Sequence, residues 1–192
     1  MNAIVALRVS FAILTLLIIG FGCSPSVSTT PTVPPPKSIQ TPTPSPTSSS
    51  EQAYITKVNS FIDKFYNHRK EFNTGLQSKG EKFRSATTES KQRQALQEVI
   101  THLENCHGLF LQDMEDFAAI IPPNKYQDFY VLMNSVLRDY EGALAGFTTY
   151  YSRNLNMGEQ DSMLLTHSSD LLRTANENLQ RAALMYKNLI GQ

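Results

Sequence analysis

From residue 51 onward the apolar positions keep helical spacing. Ile55, Val58, Ile62, Phe65, Phe72 and Leu76 form a first stripe, stepping by threes, fours and sevens. Leu96, Val99, Leu103, Cys106, Phe110 and Phe117 form a second. Phe129, Met133, Val136, Tyr140, Ala143, Phe147 and Tyr151 form a third. Leu164, Leu171, Ala175, Leu179, Ala182, Tyr186 and Leu189 form a fourth. A stripe of this period is the signature of a helix with one buried face. No segment sustains two-residue alternation between hairpin turns, so the pattern predicts no sheet.

The punctuation between stripes sets the boundaries. Gly75 and Gly80, with polar neighbours, weaken the chain after the first stripe. Ser85, Thr87 and Thr88 are candidate caps for the second helix. Pro122 and Pro123 cannot continue that helix and are well placed to open a third. Asn156, followed three residues later by Glu159, has the form of a capping box for the fourth. The pattern therefore predicts helices over 52–78, 88–120, 123–154 and 157–190. Their short connections make neighbours antiparallel. The expected fold is all-α, an up-down-up-down four-helix bundle over residues 51–192; a longer, irregular pair of helical hairpins is the competing arrangement.

The first fifty residues obey a different pattern. Val9 to Ile19 is an unbroken apolar run behind a single positive charge, Arg8. An apolar core of about 7–15 residues with a positive flank suits a signal peptide better than a spanning helix. Gly20, Phe21 and Gly22 follow, and then Cys23. Residues 24–50 are almost wholly Ser, Thr and Pro, hold eight of the ten prolines and carry one charge, Lys37. That composition cannot bury enough apolar surface to offset chain entropy, so it predicts a disordered linker. Fully extended in polyproline II it would reach about 80 Å, and as a flexible coil nearer 30 Å.

The arrangement of Arg8, the apolar run, Gly22 and Cys23 resembles the signal of a bacterial lipoprotein. The resemblance covers residues 1–23 only, and Gly20 and Phe21 depart from the usual lipobox, which has Leu three places before the cysteine and two small residues between them. It implies a leader over residues 1–22, an acylated N-terminal Cys23 and a lipid anchor on the outer face of a bacterial membrane. The alternative is an uncleaved anchor, since Ala3 to Gly22 is 20 residues long, near the length needed to cross a bilayer. Either reading tethers the chain and places residues 51–192 outside the cytoplasm.

Charge and chemistry narrow the function less. After Arg8 and Lys37 are set aside, 15 Lys and Arg stand against 17 Asp and Glu. So balanced a domain argues against nucleic acid as a partner. Lys79, Lys82, Arg84, Lys91 and Arg93 cluster near the first inter-helix turn, and Glu98, Glu104, Asp113, Glu115 and Asp116 follow with no basic residue before Lys125. That unevenness reads as a solvated face, or as orientation toward an anionic surface.

Glu104 and His107 share a helical face at the spacing used by di-iron bundles, but a second Glu-x-x-His is missing: Phe65 precedes His68 and Leu164 precedes His167 at that position. His102 and Cys106, four apart, could share a soft metal, yet two ligands do not close a zinc site. These four are the only candidate ligands, and the favoured reading makes Cys106 a core thiol with Glu104 and His107 facing water. Tyr126, Tyr130, Tyr140, Tyr150 and Tyr151, with Gly142 and Gly146 among them, could line a ligand pocket on the third helix or simply pack tightly. No nucleophile elbow, phosphate loop, zinc-protease helix or calcium loop occurs. The sequence thus predicts a non-enzymatic, cofactor-free, membrane-tethered bundle that binds an envelope protein or a small ligand. A metal- or cofactor-binding bundle and an extracytoplasmic sensory module are the alternatives.

Overall fold

The computed structural model describes residues 49–158 and 160–191. The leader, Cys23, the linker to residue 48, and Glu159 of the expected capping box lie outside them. The described residues are all-helical: α1 (Ser49–Ser85), α2 (Glu89–Ala118), a 3-10 turn (Asn124–Tyr126), α3 (Gln127–Met157) and α4 (Ser162–Ile190). Among them no helix is long and apolar enough to cross a membrane.

The four stripes become the four buried faces. Thr88 caps α2, its hydroxyl accepting the Lys91 N–H at 3.4 Å. Pro123 precedes the 3-10 turn that leads into α3. Gly158 closes α3 at φ 69°, a left-handed conformation that costs glycine nothing. Two expected boundaries move. Asn156 lies inside α3, which runs on to Met157, and α4 begins at Ser162 rather than 157. Its cap is Asp161, whose carboxylate accepts the Leu164 N–H at 3.0 Å.

The larger departure is α1, which continues to Ser85 through both glycines that were expected to weaken it. Gly75 is there for space: a β-carbon on it would overlap the imidazole of His102 on α2. That ring lies across α1 with Nε2 3.2 Å from the Phe72 carbonyl oxygen. In an open helix, Gly→Ala gains up to about 1 kcal/mol. At Gly108 nothing lies within 4 Å of an added β-carbon. Gly108→Ala is therefore expected to raise the denaturation midpoint, and Gly75→Ala to lower it despite the same gain in propensity. Equal shifts for the two would contradict the His102 contact.

The helices pack as a bundle around one core. α1 lies against α2, α2 against α3 and α3 against α4. Partners run in opposite register along each pair. Lys64 and His68 meet Asp116 and Asp113, while Lys82 meets Glu98. Phe117 meets Phe129, while His107 meets Glu141. Phe129 meets Tyr186, while Tyr140 meets Asn176. The centre is aromatic: the Phe110 ring lies 5.1 Å from Tyr140, 5.7 Å from Phe65 and 6.3 Å from Phe72. α1 and α4 lack the close backbone packing of the other pairs. Side chains bridge them instead, and a slot is left between.

Candidate functional site: the slot between α1 and α4

The slot has a volume of about 360 Å³, within the range of small-ligand sites. Asn59, Ile62, Phe65 and Tyr66 of α1 form one wall. Leu179, Ala182, Ala183, Tyr186, Lys187 and Ile190 of α4 form the other, with Phe129 and Met133 of α3 as the floor. It exists because α4 presents two alanines where longer side chains would meet α1. Most of its lining is apolar, and Asn59, Tyr186 and Lys187 bring polar groups to one end. There the Tyr186 hydroxyl donates to the Asn59 Oδ1 at 2.9 Å and approaches the Ile55 carbonyl at 3.3 Å. Burial pushes that phenol up to about 12, so it stays a neutral donor throughout the physiological range. Beyond the other end, Arg69 Nη2 donates to the Asn176 Oδ1 at 2.8 Å. The Tyr140 hydroxyl donates to the same oxygen at 2.6 Å.

The third helix, where tyrosines and glycines suggested a pocket, is packed solid along α4. Gly146 faces Ser168 and Gly142 faces Leu171, both closely enough to feel an added β-carbon. Tyr126, Tyr140, Tyr150 and Tyr151 are buried. Tyr126 donates to Glu51 at 2.8 Å, and Tyr130 reaches the Ala118 carbonyl at 3.3 Å. The space for a ligand lies further along α4, toward its C-terminal end, with α3 contributing only its floor.

The four candidate ligands separate. Cys106 is fully buried, with its sulfur 3.6 and 3.8 Å from the two nitrogens of His102. Burial pushes the thiol up to about 12 and makes His102 harder to protonate. Glu104 is exposed, and His107 turns to Glu141 of α3, Nε2 to Oε1 2.8 Å. Among the described residues no three His, Cys, Asp or Glu side chains converge as metal ligands. In the chain carrying Cys23→Ser, Cys106 is the sole thiol. Its reaction with a disulfide reagent at neutral pH is expected to be far slower in the native than in the denatured protein, because burial shuts out the reagent and pushes the thiol up to about 12. Reaction at the rate of a free thiol would overturn the buried assignment. The part-exposed His107–Glu141 contact is worth about 0–1 kcal/mol, so His107→Ala should move the melting temperature only slightly.

The basic cluster is partly neutralised by ion pairing, with Lys82 on Glu98. Sequence reasoning passed over two interior polar groups that the fold brings to partners: Asp113 with His68, and Asn176 with Arg69. The signal was available. Asp113 falls three after Phe110 and four before Phe117, in register with the buried stripe of α2. Comparison with protein-family models, with curated protein sequences and with solved structures finds no match.

Proposed function

We propose that this chain is an envelope lipoprotein whose helical domain binds a small apolar ligand. In this reading residues 1–22 are a leader, Cys23 carries the lipid, residues 24–48 are a spacer, and the residues from Ser49 on form an up-down-up-down four-helix bundle held outside the cytoplasm. The protein binds and presents; it does not catalyse. The order of apolar run, Gly22-Cys23 and proline-rich tract supports the tether, and the opposite register of successive helix contacts supports the topology.

The observation that carries ligand binding is the slot: a largely apolar cleft of about 360 Å³ walled by α1 and α4, with the polar groups of Asn59, Tyr186 and Lys187 at one end. An apolar interior with a few convergent polar groups is the general form of a small-molecule site. Ala183 is exposed and lines the slot, so Ala183→Phe fills it without disturbing the core. The expected result is that the unacylated chain 23–192 with Cys23→Ser enhances the fluorescence of an uncharged solvatochromic dye, and that Ala183→Phe abolishes the enhancement. A dye response identical in the two proteins would remove the slot as the site. For the tether, Cys23→Ser in the full chain should release the protein from the membrane fraction or trap its precursor. A mature protein that begins at Met1 would replace lipidation with the uncleaved anchor.

A further inference from the structure

Resting on the slot as the binding site, we propose that its ligand is a long-chain carboxylate, with the chain lying along the helices and the carboxylate held by Lys187. The first argument is shape. The walls extend from Asn59 to Tyr66 on α1 and from Leu179 to Ile190 on α4. At 1.5 Å per residue these are stretches of roughly 10 and 16 Å. The slot is thus drawn out along the helix axes, between the Tyr186–Asn59 contact and the Arg69–Asn176 contact. A volume of 360 Å³ in that form suits one flexible chain better than a fused ring system.

The second argument is charge. Among the described residues Lys187 is the only ionised side chain in the lining, and it makes no ion pair with them. Asn59 spends its Oδ1 on Tyr186, which leaves its amide N–H groups as donors. The mouth therefore offers an ammonium and an amide, and no carboxylate. Lys187 stands in the last turn of α4, at the negative end of that helix dipole, and is the cationic group at the slot. One ammonium with one amide matches the two oxygens of a carboxylate. A phosphate head takes more donors, usually from arginine or backbone N–H groups.

The test uses the full chain in the membranes that contain it. A sixteen-carbon fatty acid bearing a diazirine is photolysed there, beside the matching primary alcohol, and labelled peptides are mapped by mass spectrometry. The acid is expected to label α1 and α4 peptides lining the slot at least about threefold more than the alcohol. Lys187→Gln should remove that preference, Lys187→Arg should retain it, and Ala183→Phe should abolish labelling by both probes. Equal labelling by acid and alcohol, unaffected by Lys187→Gln, overturns the carboxylate while leaving the slot as an apolar site. Loss of the preference in Arg69→Gln but not in Lys187→Gln places the head at the Arg69 end and overturns the anchor. Labelling that Ala183→Phe does not change overturns the slot itself.

Discussion

Phe110→Ala is expected to lower the free energy of unfolding by about 3–5 kcal/mol. Phe110 is fully enclosed on α2, and its ring is met by Phe65 and Phe72 of α1 and by Tyr140 of α3. Truncation removes the hub through which three helices touch. The rings around it are held by contacts of their own: Phe65 packs on Phe61 and Tyr140, and the Tyr140 hydroxyl is fixed to Asn176. They cannot close the gap, so a cavity remains and its cost adds to the lost transfer energy. Denaturant titration of the unacylated chain should show a lower midpoint with little change in slope, and the melting temperature should fall by roughly 10 °C. Phe147→Ala, equally enclosed on α3, is expected to cost a similar amount. A loss under about 1 kcal/mol at both positions would contradict the packed core.

The helices were legible in the sequence because a single physical rule, one buried face per helix, governs all four stripes. Residues such as Val58, Phe72, Val99 and Phe147 were placed by that rule and are enclosed in the structure. Boundaries were less legible because local signals compete. Gly75 reads as a breaker by propensity, but its helix is held by tertiary contact, and the residue is small because His102 crosses it. Near the fourth helix two cap patterns overlapped: Asn156 with Glu159, and Gly158 with Asp161. The structure uses the second pair, because α3 continues three residues further than expected.

The slot was not legible for a different reason. It depends on the spacing between α1 and α4, which are far apart in sequence and share no connection. Ala182 and Ala183 look like ordinary helix formers until the facing wall of Ile62 and Phe65 is in place. Gly142 and Gly146 drew attention to α3 because small residues four apart invite close approach. They do provide it, to Leu171 and Ser168, and so close the space that a ligand would need. The four candidate ligands point different ways, His102 and Cys106 into the core and Glu104 and His107 away from it. A separation of three puts Glu104 and His107 on one face, but that face is outside, and His107 finds Glu141 there.

His68→Ala is expected to destabilise the protein by about 3 kcal/mol at neutral pH, as removal of one partner from a buried pair does. Asp113 is completely enclosed on α2. Its Oδ2 accepts the His68 Nδ1–H at 2.8 Å, while Oδ1 accepts no hydrogen bond from the described residues and has Lys64 Nζ at 3.9 Å. Burial raises the Asp113 carboxyl above the ordinary aspartate range, and the His68 contact is the chief influence holding it down. A carboxyl raised on folding contributes stability at low pH that is lost as pH climbs through its folded value. Without His68 that value rises further, so the loss on climbing from pH 4 to 7 grows. The penalty of His68→Ala should therefore be small near pH 4 and largest at neutral pH. Adding Asp113→Asn removes the stranded charge and should recover most of the neutral-pH loss, since a buried pair replaced on both sides costs far less than one broken on one side. Thermal melts of the single and double variants at the two pH values decide it. A penalty independent of pH, unrelieved by Asp113→Asn, would make His68 a packing residue and leave the Asp113 charge to Lys64 alone.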